Sequence, residues 1–300
     1  MSPLHIVLAL LVVAVWGTNF VVIKIGLRDF PPFLFATLRF AFSAFPFLLF
    51  IRRPDVAWKW LVLFGFFLGP GQFGLLFLAM RADISPGLAS LIIQTQVFFT
   101  IGLSVLIFKE RVNIGALGGI LLAAAGLAVI AMHIDVVTVT PAGIAMILMA
   151  ALFWACANIT VKRAAKERAI KIDMLGFMVW SSVFAVPPLL VLSLAFDGAG
   201  SQLLAIGAAH WDAWLALFWQ VVGNTLFGYV AWNWLLTRHD AATITPYAML
   251  VPVFGMGAAA LFLDEPLPGW KLAAAALVMA GLALITLLPL VANMSKRIAR

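Results

Sequence analysis

Along this chain the hydrophobic positions do not alternate with polar ones. They continue unbroken in stretches of about twenty residues, interrupted by charge, proline or glycine. Such stretches can be marked near residues 4–27, 32–51, 58–80, 85–108, 113–132, 141–161, 174–195, 211–236, 241–263 and 268–290. A helix needs about 20 apolar residues to cross a hydrocarbon core of roughly 30 Å, so each stretch predicts one span. The strands of a membrane barrel are shorter and alternate, which excludes that architecture. The pattern predicts an all-α integral membrane protein of ten transmembrane helices. Their connections are too short to hold a soluble catalytic domain.

Composition agrees with the pattern. The 300 residues are 65% hydrophobic and 10% charged, with a mean hydropathy of +1.12, far from a soluble domain or a disordered chain. The single cysteine, Cys156, excludes an internal disulfide framework and a thiolate zinc site. Met1-Ser2-Pro3 leads straight into the first stretch with no small-residue cleavage site, so an uncleaved first helix is expected.

The formal charge of +7 raises the question of nucleic acid, which topology answers. With both termini cytoplasmic, the inner side holds Arg52, Arg53, Lys59, Lys109, Arg111, Lys162, Arg163, Lys166, Arg168, Lys171, Arg238, Lys296, Arg297 and Arg300. The outer side holds only Lys24, Arg28, Arg81 and Lys271. This positive-inside excess places the chain in the cell (inner) membrane, N- and C-termini cytoplasmic, with no nucleic-acid partner required.

The chain also repeats itself. Trp16 and Lys24 recur as Trp154 and Lys162 at the same spacing. Phe64, Gly69, Phe73 and Gly74 recur at one shift as Phe218, Gly223, Phe227 and Gly228. Glu110, Gly126, Leu127 and Ala128 recur as Glu265, Gly281, Leu282 and Ala283. The halves are expected at 1–132 and 141–290, followed by a basic cytoplasmic tail at 291–300. Each half holds an odd number of spans, so the second enters from the opposite side. Two inverted five-helix repeats are the architecture of many secondary transporters, with the site near the midplane.

Particular residues now carry a resemblance. Trp16-Gly17-Thr18-Asn19-Phe20, Arg39, Phe108-Lys109-Glu110-Arg111 and Gly115…Gly126-Leu127 are similar to an EamA domain. Leu263-Asp264-Glu265-Pro266-Leu267 with Gly281-Leu282 repeats the pattern. The chain resembles the drug/metabolite transporter superfamily, with two EamA repeats, and is most similar to amino-acid and metabolite exporters of the YddG type. The resemblance implies export of small metabolites, amino acids first, through a cavity lined by every helix except the fifth and tenth. The second half departs from the opening motif, because Asn158 stands one position later relative to Trp154 than Asn19 does to Trp16.

The chemistry available to the spans is narrow. Every carboxylate and every histidine falls in a connection or at a span edge, so neither a metal centre nor a facing pair of catalytic aspartates can be assembled. No catalytic residue, metal or cofactor is expected, and a membrane-embedded enzyme is the remote alternative. With no buried acid or imidazole to carry a proton, the transporter is expected to act as a facilitator or exchanger by alternating access. Arg39, deep in the second span, either meets a substrate carboxylate or caps a neighbouring helix. Lys24 is near enough to an edge to snorkel. Trp16 with Asn19, Trp154 with Asn158, Ser90 with Gln94, and the stripe Gln220, Asn224, Gly228, Trp232 each share a helix face.

Amides that face a wet cavity can hold an ammonium or a carboxylate, and aromatic faces suit ammonium and apolar groups. The alternative is that they join helices, worth about 0.6–2 kcal/mol each. The candidate substrate-binding set is Trp16, Asn19, Arg39, Gln94, Trp154, Asn158, Asn224 and Trp232. Trp58, Trp60, Trp211, Trp214 and Trp270 read as interfacial belt residues. Glu110 and Glu265 read as stabilising the starts of the helices that follow them. Pro70, Pro246 and Pro252 are candidate hinges, since interior prolines remove backbone hydrogen bonds. A drug or toxic-cation exporter on the same scaffold is the nearer alternative. Substrate molecules and the lipid bilayer are the expected partners.

Overall fold

Proline placement explains where many of these helices begin. A proline occupies the first turn without loss, because its missing N–H has no partner there in any case. Ser2-Pro3, Pro31-Pro32, Ser85-Pro86, Thr140-Pro141 and Thr245-Pro246 each open a helical segment. The computed structural model describes residues 2–82, 84–109, 114–133, 140–168, 172–239 and 244–298. Among them the helices are α1 (Pro3–Asp29), α2 (Pro32–Ala44), α3 (58–82), α4 (86–108) and α5 (Ile114–Ala131). The second half supplies α6 (Pro141–Arg168), α7 (Met174–Phe196), α8 (211–238), α9 (245–263) and α10 (Gly269–Ile298).

Seven of the helices are long and apolar enough to cross a membrane, and α5, α9 and α10 carry shorter apolar runs over their described side chains. The protein is an all-α, multi-pass membrane protein. Some edges differ from expectation. Helix α2 stops at Ala44 before Pro46 and resumes only as a 3-10 turn, Phe47–Leu49. Helix α10 continues past 290 to Ile298, into the segment expected as a tail. A further helix, Ala199–Ala208, occupies what reads in sequence as a loop. Its Leu203 and Leu204 are exposed while Gln202 is buried and donates to Ser193 Oγ at 3.0 Å. Such a short helix with an apolar outer face suits the membrane interface.

Packing between the halves follows a pseudo-two-fold. Helices α2 and α7, α4 and α9, and α5 and α10 pair with their own counterparts. Off the axis, α1 packs on α8 and α9 just as α6 packs on α3 and α4. The α5–α10 crossing depends on small residues: a Cβ on Gly281 would lie 2.5 Å from the Gly119 carbonyl oxygen. Even strain is duplicated, since Lys109 (φ 57) ends α4 and Asp264 (φ 52) ends α9, both left-handed.

The third helix of each half also shares a distortion. Within α3, Phe67–Gly74 is wound as a π-helix, and within α8 so is Trp219–Phe227. Pro70 lies inside the first of these, where the wider i→i+5 turn accommodates its missing donor. The other two candidate hinges lie near the starts of helical segments. Pro246 opens the 3-10 turn Thr245–Leu250 that begins α9, and Pro252 stands in the first turn of Val251–Leu263. The interior prolines that do occur in α7, Pro187 and Pro188, were not among the candidates.

Candidate substrate site

Midway along α1, α2 and α8 the polar side chains form one connected group. Arg39 on α2 is 1% exposed. Its Nη1 donates to Gln220 Oε1 at 2.7 Å and its Nη2 to Thr225 Oγ1 at 3.3 Å. Gln220 Nε2 donates in turn to Asn19 Oδ1 at 2.7 Å. The guanidinium carbon lies over the Phe73 ring, 3.6 Å from its centroid. Among the described residues no carboxylate pairs with it, so a permanent charge sits in the bundle on amide, hydroxyl and π-face alone.

The π-helix of α8 makes this possible. In an i→i+5 helix the fifth residue returns to the face of the first, so Gln220 and Thr225 both reach Arg39. Thr225 Oγ1 reinforces the turn by donating to the Gln220 carbonyl, five residues back, at 2.8 Å. One turn further, Trp16 Nε1 donates to the Asn224 carbonyl at 3.2 Å. Its ring lies 5.2 Å from Trp232 and 5.7 Å from Tyr229, centroid to centroid. Gly228 admits the Trp16 indole, which any Cβ there would strike.

The structure therefore brings together Trp16, Asn19, Arg39, Asn224 and Trp232, and leaves three candidates elsewhere. Asn158 on α6 donates to Gln96 Oε1 at 2.9 Å and Thr100 Oγ1 at 3.3 Å, both on α4. Lys162, one turn on, donates to Ser104 Oγ at 3.3 Å, extending the same α4–α6 ladder. Gln94 Nε2 donates to the Ala248 carbonyl at 3.3 Å and ties α4 to α9. Trp154 is partly buried against the core. Sequence reasoning left Gln220 and Thr225 out of the candidate set, and also Phe73, Tyr229 and Gln96. Only Gln220 gave a signal, through its stripe with Asn224.

Two further expectations are revised. Lys24 does not snorkel: its Nζ donates to the carbonyls of Met80 at 2.9 Å and Arg81 at 3.2 Å, capping the end of α3. Glu265 does not serve the start of α10. It accepts from Ser85 Oγ at 2.5 Å and from the Gly87 backbone N–H at 3.0 Å, at the N-terminus of α4. Lys271 Nζ pairs with it at 2.8 Å, and both side chains are buried. Glu110 lies outside the described residues. Among the described residues no group of three or more potential metal ligands occurs.

Among the described residues, apolar helices long enough to cross a membrane enclose polar side chains gathered midway along them, an arrangement that suits a membrane transporter. The chain belongs to the EamA-like transporter family, whose model matches residues 3–132 and 141–287. A probable amino-acid metabolite efflux pump of Salmonella typhimurium is 40% identical over 276 residues, 92% of each chain. One of the same name from Escherichia coli is 39% identical over 277 residues, again 92% of each. An uncharacterized transporter of Bacillus subtilis, YoaV, is 28% identical and covers 82% of this chain and 84% of its own. A protein of known crystal structure, 19% identical, superimposes with a TM-score of 0.60 over 95% of this chain and 96% of the other, a likeness of fold alone. The family and these relatives are transporters rather than enzymes.

Proposed function

We propose that the protein exports small metabolites, with amino acids the leading class, across the cytoplasmic membrane. Both termini face the cytoplasm, and the halves 1–132 and 141–290 rock about a site that includes Trp16, Asn19, Arg39, Asn224 and Trp232. The observation that carries this reading is the buried Arg39 guanidinium with no carboxylate partner among the described residues. A carboxylate brought by substrate supplies the missing counter-charge, in the bidentate geometry that guanidinium favours. The rings of Trp16, Tyr229 and Trp232 offer faces for an ammonium or an apolar side chain. A lipophilic cation would suit those rings as well, but the neighbouring positive charge disfavours it. The names of the relatives at 40% and 39% identity support the amino-acid reading.

The test is counterflow in proteoliposomes with a panel of labelled amino acids and a labelled lipophilic cation. Amino-acid exchange is expected, persisting when an ionophore collapses the pH gradient, since the central group holds no acid or imidazole. Exchange of the cation alone would establish the rival, and loss of amino-acid flux with the proton gradient would overturn the facilitator mechanism. Asn158→Ala, which releases Gln96 and Thr100, is expected to lower flux several-fold while the protein still inserts.

Orientation has its own check. Single cysteines replacing Lys166 and Arg297, in a chain with Cys156→Ser, are expected to react with an impermeant maleimide only from the cytoplasm, and one replacing Asp197 only from outside. Labelling of positions 166 and 197 from the same face would refute the inverted arrangement.

A further inference from the structure

A groove of about 390 Å³ opens at one end of the bundle, where α4 and α6 finish and α3 begins. Trp60, Phe108, Lys109, Arg163, Lys166 and Glu167 line it. The groove is formed by α3, α4 and α6, apart from the Arg39 group on α1, α2 and α8, and exposed apolar side chains flank it. Met149, Cys156 and Arg163 recur every seventh residue and so form one stripe along α6, and Met149 is 45% exposed. Trp154, nine residues before Arg163, is on the opposite face at about 100° per residue. On α4, Leu106 and Ile107 beside the groove are 77% and 39% exposed.

Among the described residues its charge is unbalanced. Glu167 is matched by Lys59 Nζ at 3.1 Å and by Trp60 Nε1 at 2.8 Å. Lys166 Nζ stands over the Phe108 ring at 5.5 Å. Among the described residues no carboxylate pairs with Lys109, Arg163 or Lys166. Three cations thus surround a recess with aromatic walls, at the depth where helices leave the membrane.

We propose that this groove seats the headgroup of an anionic phospholipid. The phosphodiester meets Lys109, Arg163 and Lys166, the glycerol region rests on Trp60 and Phe108, and one acyl chain follows the stripe through Cys156 and Met149. Basic recesses between helices suit anionic headgroups, and tryptophan favours the glycerol level. A free anion would satisfy the cations but would leave the apolar stripe without a role. In the orientation proposed above, the lipid belongs to the cytoplasmic leaflet.

Native mass spectrometry of the full chain in mild detergent tests this directly, with phosphatidylglycerol and phosphatidylcholine of the same acyl chains as probes. The wild type is expected to retain phosphatidylglycerol roughly tenfold over phosphatidylcholine. Arg163→Gln/Lys166→Gln should lose that preference, while Lys296→Gln/Arg297→Gln, removing equal charge from the same end of the molecule, should keep it. If the first variant shows no melting transition, Lys109→Gln takes its place. Equal retention of the two lipids by the wild type overturns the proposal, as does equal loss in both double variants. Displacement of phosphatidylglycerol by equimolar inorganic phosphate would assign the groove to a soluble anion instead. Lipid retention is read without transport, so a failure of the export reading leaves this outcome separate.

Discussion

Arg39→Met is expected to raise the KM for an amino acid more than a hundredfold while the protein still inserts. Losing a desolvated guanidinium–carboxylate contact costs about 2–5 kcal/mol, and a hundredfold corresponds to about 2.8 kcal/mol within that range. Stability moves less, because opposing effects meet at this position. Removing an uncompensated buried charge is favourable, whereas Gln220 Oε1 and Thr225 Oγ1 lose their donor. Each orphaned acceptor costs about 1–3 kcal/mol, so a modest net loss in thermal stability is expected. Adding Gln220→Leu removes one orphan but strands Asn19 Oδ1, so the double variant should be about as stable as Arg39→Met. The decisive comparison sets an amino acid against its amide. If both lose affinity equally in Arg39→Met, the guanidinium only ties α2 to α8.

The second large effect lies outside the site. Glu265→Gln is expected to lower the melting temperature in detergent by on the order of 10 °C, because Lys271 would remain buried without its counter-charge. One-sided removal of a buried ion pair costs about 3–5 kcal/mol. The loss also weakens the hold on Ser85 and Gly87, where the carboxylate seals the start of α4. Glu265→Gln/Lys271→Met should recover most of the loss, because the stranded charge is then gone. A Glu265→Gln protein that melts within about 1 °C of wild type would show the pair to be inert.

The spans, their order and their duplication were legible in the sequence, because continuous apolar runs and recurring residues such as Trp16/Trp154 and Glu110/Glu265 are local signals. Partnerships were not. Arg39 and Gln220 are 181 residues apart, and nothing near Arg39 tells whether it meets carbonyls or side chains. Thr225 was invisible for a geometric reason. At α-helical spacing it points away from Gln220, and only the π-helical winding of α8 returns it to that face. Glu265 was placed at a helix N-terminus correctly in kind but at the wrong helix, since sequence proximity favoured α10 and the fold supplied α4.

A molecule made of two like halves facing opposite ways contains the description of its own counterpart state. If the halves exchange shapes, contacts on the axis map onto themselves: α2 with α7, α4 with α9 and α5 with α10 persist. Contacts off the axis change owner. Lys24 now fastens the end of α1 to the carbonyls that finish α3. Lys162 is related to Lys24 by the same shift as Trp154 to Trp16, and it holds the corresponding place beside α4, where it donates to Ser104. Exchange of the halves would thus give Lys24 and Lys162 each other's surroundings while the axial pairs stay as they are.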